Sequence, residues 1–259
     1  MKKKILKISI VGKTNAGKST LLNSLVGEVV SITNKKINTT EDMIIGLINI
    51  KNQQLIFYDT PGISNLKKIK NFNSNLKKNL WQGLNESDLI IYLIDIKKYN
   101  KYEIVSNILK LSETQKKIIK VFNKNDLIDK KTILPKIKEL DTSIDIDSYF
   151  SISAKKKLGI DNLVKYLLKK TYKSEWLFKD KEITDKDDIF ITNECTRNTL
   201  LSLLHKEIPY NIKVKNKVFK YLSNKDLKIK QEIKISNLRY KKIILGKKGE
   251  KIKEIKIKS

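Results

Sequence analysis

Eight residues near the start of the chain carry its clearest chemistry: Gly12, Lys13, Thr14, Asn15, Ala16, Gly17, Lys18 and Ser19 spell G-x-x-x-x-G-K-S. They follow an apolar run, Ile5 to Val11, that reads as a buried strand, and precede Thr20 to Leu25, which reads as the first turns of a helix. That context matters more than the string, because a phosphate-binding P-loop is a strand feeding a helix through a tight glycine turn. The glycines let backbone N–H groups converge on phosphate oxygens, and the helix N-terminus adds partial positive charge. In such a loop Lys18 reaches the β- and γ-phosphates and the Ser19 hydroxyl ligates Mg²⁺, while Gly12, Lys13, Asn15, Ala16, Gly17 and Thr20 line the ligand.

Further signals arrive at the ends of later apolar runs. A polar stretch from Val29 to Asp42 separates the first helix from a strand-like run, Met43 to Ile50. A loop in that place can hold a first switch, whose threonine closes onto Mg²⁺ and the γ-phosphate; Thr40 is the candidate, with Thr39 beside it. The strand Gln54 to Tyr58 ends in Asp59-Thr60-Pro61-Gly62. There Asp59 can hold Mg²⁺ through a water and the Gly62 amide can sense the γ-phosphate. Catalysis is accordingly expected of Lys18, Thr40 and Gly62. Residue 63 is Ile, where Ras-like enzymes place a glutamine that orients water. Orientation is then left to the switch backbone or a potassium ion, and slow intrinsic hydrolysis is expected.

The strand Lys117 to Phe122 delivers Asn123-Lys124-Asn125-Asp126, an N-K-x-D, and a strand at Ser148 to Ile152 delivers Ser153-Ala154-Lys155. Here the base is decided. A carboxylate at Asp126 accepts from both N1–H and the exocyclic N2 amine of guanine, an arrangement adenine does not offer. Asn123 and the Lys124 stem support the loop and ring face, the Ala154 amide is expected at guanine O6, and Lys155 stacks on the base. In this order, at strand ends, the motifs point to a GTPase using GTP, GDP and Mg²⁺, with K⁺ as a further candidate.

These residues need an α/β scaffold. The alternation from Lys4 to Thr171 predicts a mostly parallel sheet with helices on both faces and its ligand at the carboxyl ends of the strands. Residues 1–172 form the nucleotide domain, 173–188 a polar linker, and 189–259 a second domain. In the latter, Ile189 to Lys206 has helical spacing, and Tyr210 to Lys215 and Lys228 to Ile235 alternate as two strands with one basic face. A helix–Gly246-Lys247-Lys248-Gly249–helix turn follows, which is the KH signature. Its glycines admit an RNA backbone and its lysines, with Lys241 and Lys242, neutralise phosphate, about four unpaired nucleotides lying alongside.

The 259 residues carry a net charge of +27, but 53 of the 55 basic residues are lysine, a bias that makes gross basicity weak evidence. Its distribution says more: residues 205–259 hold 18 basic and 5 acidic side chains, against 37 and 23 in the first 204. That is the footprint of a phosphate-backbone binder. The lone Cys195 excludes an internal disulfide and, with a single His, argues against structural zinc. With no signal peptide or membrane-length apolar run, a cytoplasmic protein is expected.

The whole chain resembles the Era family of bacterial GTPases. The resemblance rests on GKTNAGKST at Gly12, SITNKKINTT at Ser31, DTPG at Asp59, NKND at Asn123 and SAK at Ser153, then on ITDKD at Ile183, KEIPYNIKV at Lys206 and ILGKKGEKIKEI at Ile244. Thr14 and Ala16 stand where the family usually has Pro and Val. The resemblance implies a P-loop GTPase domain followed by a smaller α+β type II KH domain. It implies a monomeric, GTP-regulated factor that binds the 3′ end of small-subunit (16S) rRNA, engages the pre-30S particle and helps it mature. The family also associates loosely with the inner membrane, so peripheral contact on the inner face is among the expectations. Family members continue beyond the GxxG helix with another helix and strand, whereas this chain stops at Ser259, so the KH domain is expected to be truncated at its C-terminus. Two rivals remain: a non-catalytic RNA-binding assembly factor that retains guanine nucleotide, and a GTPase acting on tRNA modification. Against the latter stand the absence of a preceding folate-binding-like domain and of a C-terminal cysteine motif.

Overall fold

A computed structural model describes residues 2–31, 43–62, 74–141, 148–204 and 212–259. The chain forms two compact units, the first extending to Asp185 and the second running from Lys186 to Ser259.

The first unit is built on β1 (Lys4–Gly12), whose Ile5, Leu6, Ile8, Ile10 and Val11 are buried. It is flanked in parallel by β3 (Gln53–Asp59) and β4 (Leu89–Asp95), and β5 (Lys117–Asn123) and β6 (Tyr149–Ser151) continue the sheet beyond β4. Outside β3 lies β2 (Ile44–Ile50), antiparallel to it, so the order is β2-β3-β1-β4-β5-β6. Parallel strands covered on both faces read as continuous apolar runs, which is why Leu-Ile-Ile-Tyr-Leu-Ile and Lys-Ile-Ile-Lys-Val-Phe stand out in the sequence. Each fully buried Ile or Leu in such a strand contributes roughly 1.5–3 kcal/mol. Helices α1 (Lys18–Val26), α2 (Ser74–Glu86), α3 (Lys101–Ser112), α4 (Ile133–Asp141) and α5 (Ile160–Leu168) cover the sheet. Ile104, Ile108 and Leu111 of α3 and Ile137 and Leu140 of α4 pack with Ile90, Tyr92 and Phe122 in one core cluster.

The stretch 173–188, expected as a linker, is bound to the first unit as far as Asp185. A two-residue β7 (Tyr172–Lys173) pairs antiparallel with the start of β1. The Gln54 side chain then takes the Leu177 and Phe178 amides, Leu47 donates to the Ile183 carbonyl, and the Ile45 amide is capped by Asp185. The segment is a strap along the sheet edge, held by backbone groups that β2 leaves unpaired on its outer side.

The second unit comprises α6 (Asp188–Leu203), the antiparallel hairpin β8 (Ile212–Tyr221) and β9 (Leu227–Ile235), then α7 (Arg239–Leu245) and α8 (Glu250–Lys258). Its core is small: Leu200, Leu204, Ile212, Ile244 and Ile255. Strand β8 runs well past Lys215, where the alternation expected from sequence ends, because a bulge between Asn216 and Val218 shifts the pairing by one residue. The bulge keeps Phe219 and Tyr221 paired with Ile229 and Leu227. Among the described residues, no helix is long and apolar enough to cross a membrane.

Candidate functional site

The carboxyl ends of β1, β3 and β5 bring three separated motifs to one end of the sheet. The loop from β1 to α1 is shaped by left-handed backbone at Asn15 (φ 65°) and Gly17 (φ 100°), and it closes with the Ala16 amide on the Lys13 carbonyl at 3.0 Å. Gly17 tolerates no side chain: a Cβ would lie 2.4 Å from Asn123 Nδ2.

Lys18 lies back across this loop, its Nζ donating to the carbonyls of Gly12 (3.2 Å) and Lys13 (3.1 Å), and it is only 6% exposed. Burial pushes its ammonium down to about 8, while the neighbouring Asp59 carboxylate acts in the opposite sense. Asp59, at the end of β3, is wholly buried. Its Oδ2 accepts from Ser19 Oγ at 2.7 Å and from Ser31 Oγ at 2.9 Å, whereas Oδ1 has no hydrogen-bond partner. Burial pushes its carboxyl up, with Lys18 and the two serine hydroxyls opposing. A buried carboxylate oxygen without a donor, next to a buried ammonium, is the arrangement expected where a ligand supplies the missing partners. Among the described residues no cluster of three or more His, Cys, Asp or Glu could hold a metal by itself.

The rest of the D-T-P-G segment is tied to the P-loop. Thr60 Oγ1 donates to the Ile10 carbonyl at 2.7 Å, Pro61 is buried, and the Gly62 carbonyl accepts from Thr14 Oγ1 at 3.2 Å. Thr40, Thr39 and Ile63 lie outside the described residues.

Asn123 joins the P-loop, the N-K-x-D and the S-A-K segment. Its Nδ2 donates to the Ala16 carbonyl at 2.8 Å, and its Oδ1 accepts from the amides of Lys124 (2.8 Å) and Ala154 (2.9 Å). The Ala154 amide, expected at guanine O6, is thus engaged with Asn123 here. Lys124 Nζ donates to the Asn15 carbonyl and to Asp95 Oδ2, both at 2.6 Å. The Asp126 side chain is nearly buried and stands 4.0 Å from Lys156 Nζ. Ser153 is buried, its Oγ accepting from the Lys156 amide, and Lys155 is exposed. Thr20 is half-buried behind Ser19. On the rim, Lys13 pairs with Glu103 at 2.6 Å.

Ser31, Asp95 and Glu103 were not singled out by sequence. Asp95 ends a buried strand at the sheet's carboxyl edge, and that position alone could have flagged it.

In the second unit, α7 and α8 meet through Gly246 (φ 71°), Lys248 (φ 52°) and Gly249 (φ 80°). Gly246 cannot be replaced cheaply: a Cβ there would lie 2.6 Å from that of Lys251. Lys241, Lys242, Lys247 and Lys248 are all exposed around this turn.

A family profile described as "50S ribosome-binding GTPase" matches residues 7–124. The protein named GTPase Era from Rickettsia conorii is 40% identical over 259 residues, spanning 99% of this chain and 75% of that protein. A structure of Era in complex with MgGDPNP and nucleotides 1506–1542 of 16S ribosomal RNA matches with TM-score 0.86 and 36% identity, covering 99% of this chain and 87% of its own. A single-residue variant of Aquifex aeolicus Era bound to GDP and AlF4⁻ matches with TM-score 0.85 and 36% identity, covering 98% of this chain and 86% of its own. Fold and site define a P-loop GTPase domain followed by a KH-type unit. With relatives this similar over nearly its full length, the chain belongs to the Era family of GTPases.

Proposed function

We propose that this protein hydrolyses GTP slowly, binds the 3′ end of small-subunit ribosomal RNA, and acts as a switch in maturation of that subunit. The observation that carries the reading is Asn123, whose side chain fastens the phosphate loop, the N-K-x-D and the S-A-K segment into one preformed site. Support for the RNA comes from the solved relative bound to 16S nucleotides and from the lysine-flanked GKKG turn.

The residues fit the implied Mg²⁺-nucleotide. Ser19 Oγ and the Asp59 carboxylate adjoin one another, and Asp59 Oδ1 lacks a partner. Ser19 would ligate the ion, Asp59 would hold it through water, and Thr40 would complete the set. Bound there, Mg²⁺ neutralises charge on the β- and γ-phosphate oxygens. Lys18 exchanges its two carbonyl partners for those oxygens, a trade of neutral acceptors for anionic ones. The amides of Asn15, Gly17 and Thr20 cradle the phosphates, Ala16 holds the loop closed through its amide on the Lys13 carbonyl, and the Gly62 amide meets the terminal phosphate. At the other end Asp126 reads the guanine edge while Lys124 and Lys155 flank the ring. Lys241, Lys242, Lys247 and Lys248 bind RNA phosphates beside Gly246 and Gly249. We propose a monomer working in the cytoplasm on the pre-30S particle, with peripheral contact at the inner face of the membrane.

Single-turnover hydrolysis at saturating Mg²⁺ and K⁺, followed by capture of small-subunit precursors on the GTP-analogue form, tests this. Slow, Mg²⁺-dependent cleavage of GTP but not ATP, with nucleotide-dependent capture, is expected. Retained GTP with no cleavage would leave a non-catalytic RNA-binding factor instead.

A further inference from the structure

We propose that Ser31 is a positioning residue for the metal end of the site: its hydroxyl fixes the orientation in which the Asp59 carboxylate serves Mg²⁺. This rests on the reading of Asp59 as the carboxylate of the Mg²⁺ shell.

Ser31 is 1% exposed, and its single hydroxyl proton goes to Asp59 Oδ2 at 2.9 Å. Ser19 Oγ donates to the same oxygen at 2.7 Å, and Oδ1 is buried with no partner. A carboxylate kept for structure would spread two donors over its two oxygens, since leaving one buried oxygen bare is costly. Here both donors crowd onto one oxygen and leave the other free for a ligand. The terminal torsion of an aspartate is broad, so a single donor would let the carboxylate swivel. Two donors from different segments hold its plane.

Ser31 is itself held in place. The Val30 and Ser31 amides each donate to Asn23 Oδ1 at 3.0 Å, and Asn23 Nδ2 donates to the Ser31 carbonyl at 2.8 Å. Asn23 lies on α1, the helix that also carries Lys18 and Ser19. One helix therefore supplies the metal-ligating hydroxyl directly and the second hydroxyl through a three-bond clamp.

The test uses the full chain, loaded with mant-GDP and followed by stopped-flow release across a MgCl₂ titration and in EDTA. Partners one shell out from a metal typically change its affinity 10–100-fold. Ser31→Ala is expected to raise the Mg²⁺ concentration for half-maximal retention about tenfold. Its release rate in EDTA should stay within about twofold of the parent, and Ser31→Thr should keep the parental Mg²⁺ response. Should Ser31→Ala fail to fold by circular dichroism, Ser31→Cys, whose thiol is a weak donor, carries the same expectation. A parental Mg²⁺ response in the Ala or Cys variant overturns the proposal, as does release accelerated equally with Mg²⁺ and with EDTA, which would mark general structural support. If the parent protein itself shows no Mg²⁺ dependence, the reading of Asp59 fails and Ser31 falls with it.

Discussion

The nucleotide end of the first unit and the lysine turn of the second offer an anion opposite environments. In the first, Lys18, Asp59 and Asn123 are buried and hydrogen-bonded, and burial pushes the Lys18 ammonium down and the Asp59 carboxyl up from their ordinary pKa values. In the second, Lys241, Lys242, Lys247 and Lys248 stand in solvent above a core of five buried residues. A buried set recognises one ligand atom by atom, because any mismatch leaves a desolvated group unpaired. An exposed set recognises a polyanion by charge, tolerates variation and yields to salt. In the proposed reading one chain holds a stringent nucleotide site and a salt-sensitive contact to an RNA backbone, beside which any preference for sequence comes from the rest of the second unit.

That contrast can be broken by substitution. Lys18→Ala should cost the most, about 1000-fold in GDP affinity by isothermal titration, because it strips charge compensation from a buried site. RNA binding by the nucleotide-free protein should change by less than about twofold, since Lys18 belongs to the other unit. Asp126→Asn should weaken GDP about 100-fold and favour xanthosine diphosphate, whose C2 oxygen accepts from an amide where the guanine amine cannot. Competition between the two nucleotides measures it.

The buried lysine also gives the first unit a pH signature. Lys18 titrates near 8 when folded and near its ordinary 10.5 when unfolded. Between those values the unfolded chain holds the proton and the folded chain does not. Stability of the nucleotide-free protein should therefore rise with pH across that window, by on the order of 1–3 kcal/mol. Urea unfolding at several pH values reads this, and Lys18→Met should flatten the rise.

On the permissive side, Lys247→Glu with Lys248→Glu should lower RNA affinity about tenfold and reduce the slope of log K against log salt by about 1.4, roughly 0.7 per lost phosphate contact on a single strand. GDP affinity should not move. The smallest effect is expected at Glu103→Gln: its pair with Lys13 is partly solvated, so nucleotide affinity should fall by less than about 1 kcal/mol.

How legible each unit was follows from the same contrast. The apolar runs of β1, β3 and β5 were readable to within a residue or so because strands buried on both faces are mostly apolar, with only isolated polar residues such as Ser9, Gln54 and Lys120. Lys18, Ser19, Asp59, Asn123 and Asp126 could be named because their motifs fall at strand ends. Ser31 could not: it is a single polar residue whose partner, Asp59, lies 28 positions away, and Asp95 had only its place at the end of a buried strand to mark it. The strap to Asp185 read as a linker because its attachment uses backbone groups along β2 and the amide of Gln54, and neither leaves a pattern in the sequence. The bulge at Asn216–Val218 hid the far half of β8 by breaking its alternation.

In the proposed reading, the nucleotide held by the buried set governs RNA binding by the exposed one. Fluorescence anisotropy of a single-stranded oligonucleotide matching the 3′ end of small-subunit rRNA tests it most directly, with GTP-analogue-loaded and GDP-loaded protein over a salt series and against a scrambled strand. Tighter binding in the GTP-analogue form, with preference over the scramble, is predicted. Equal, steeply salt-dependent binding to both strands in both nucleotide states would contradict it and reduce the second unit to a lysine-rich surface.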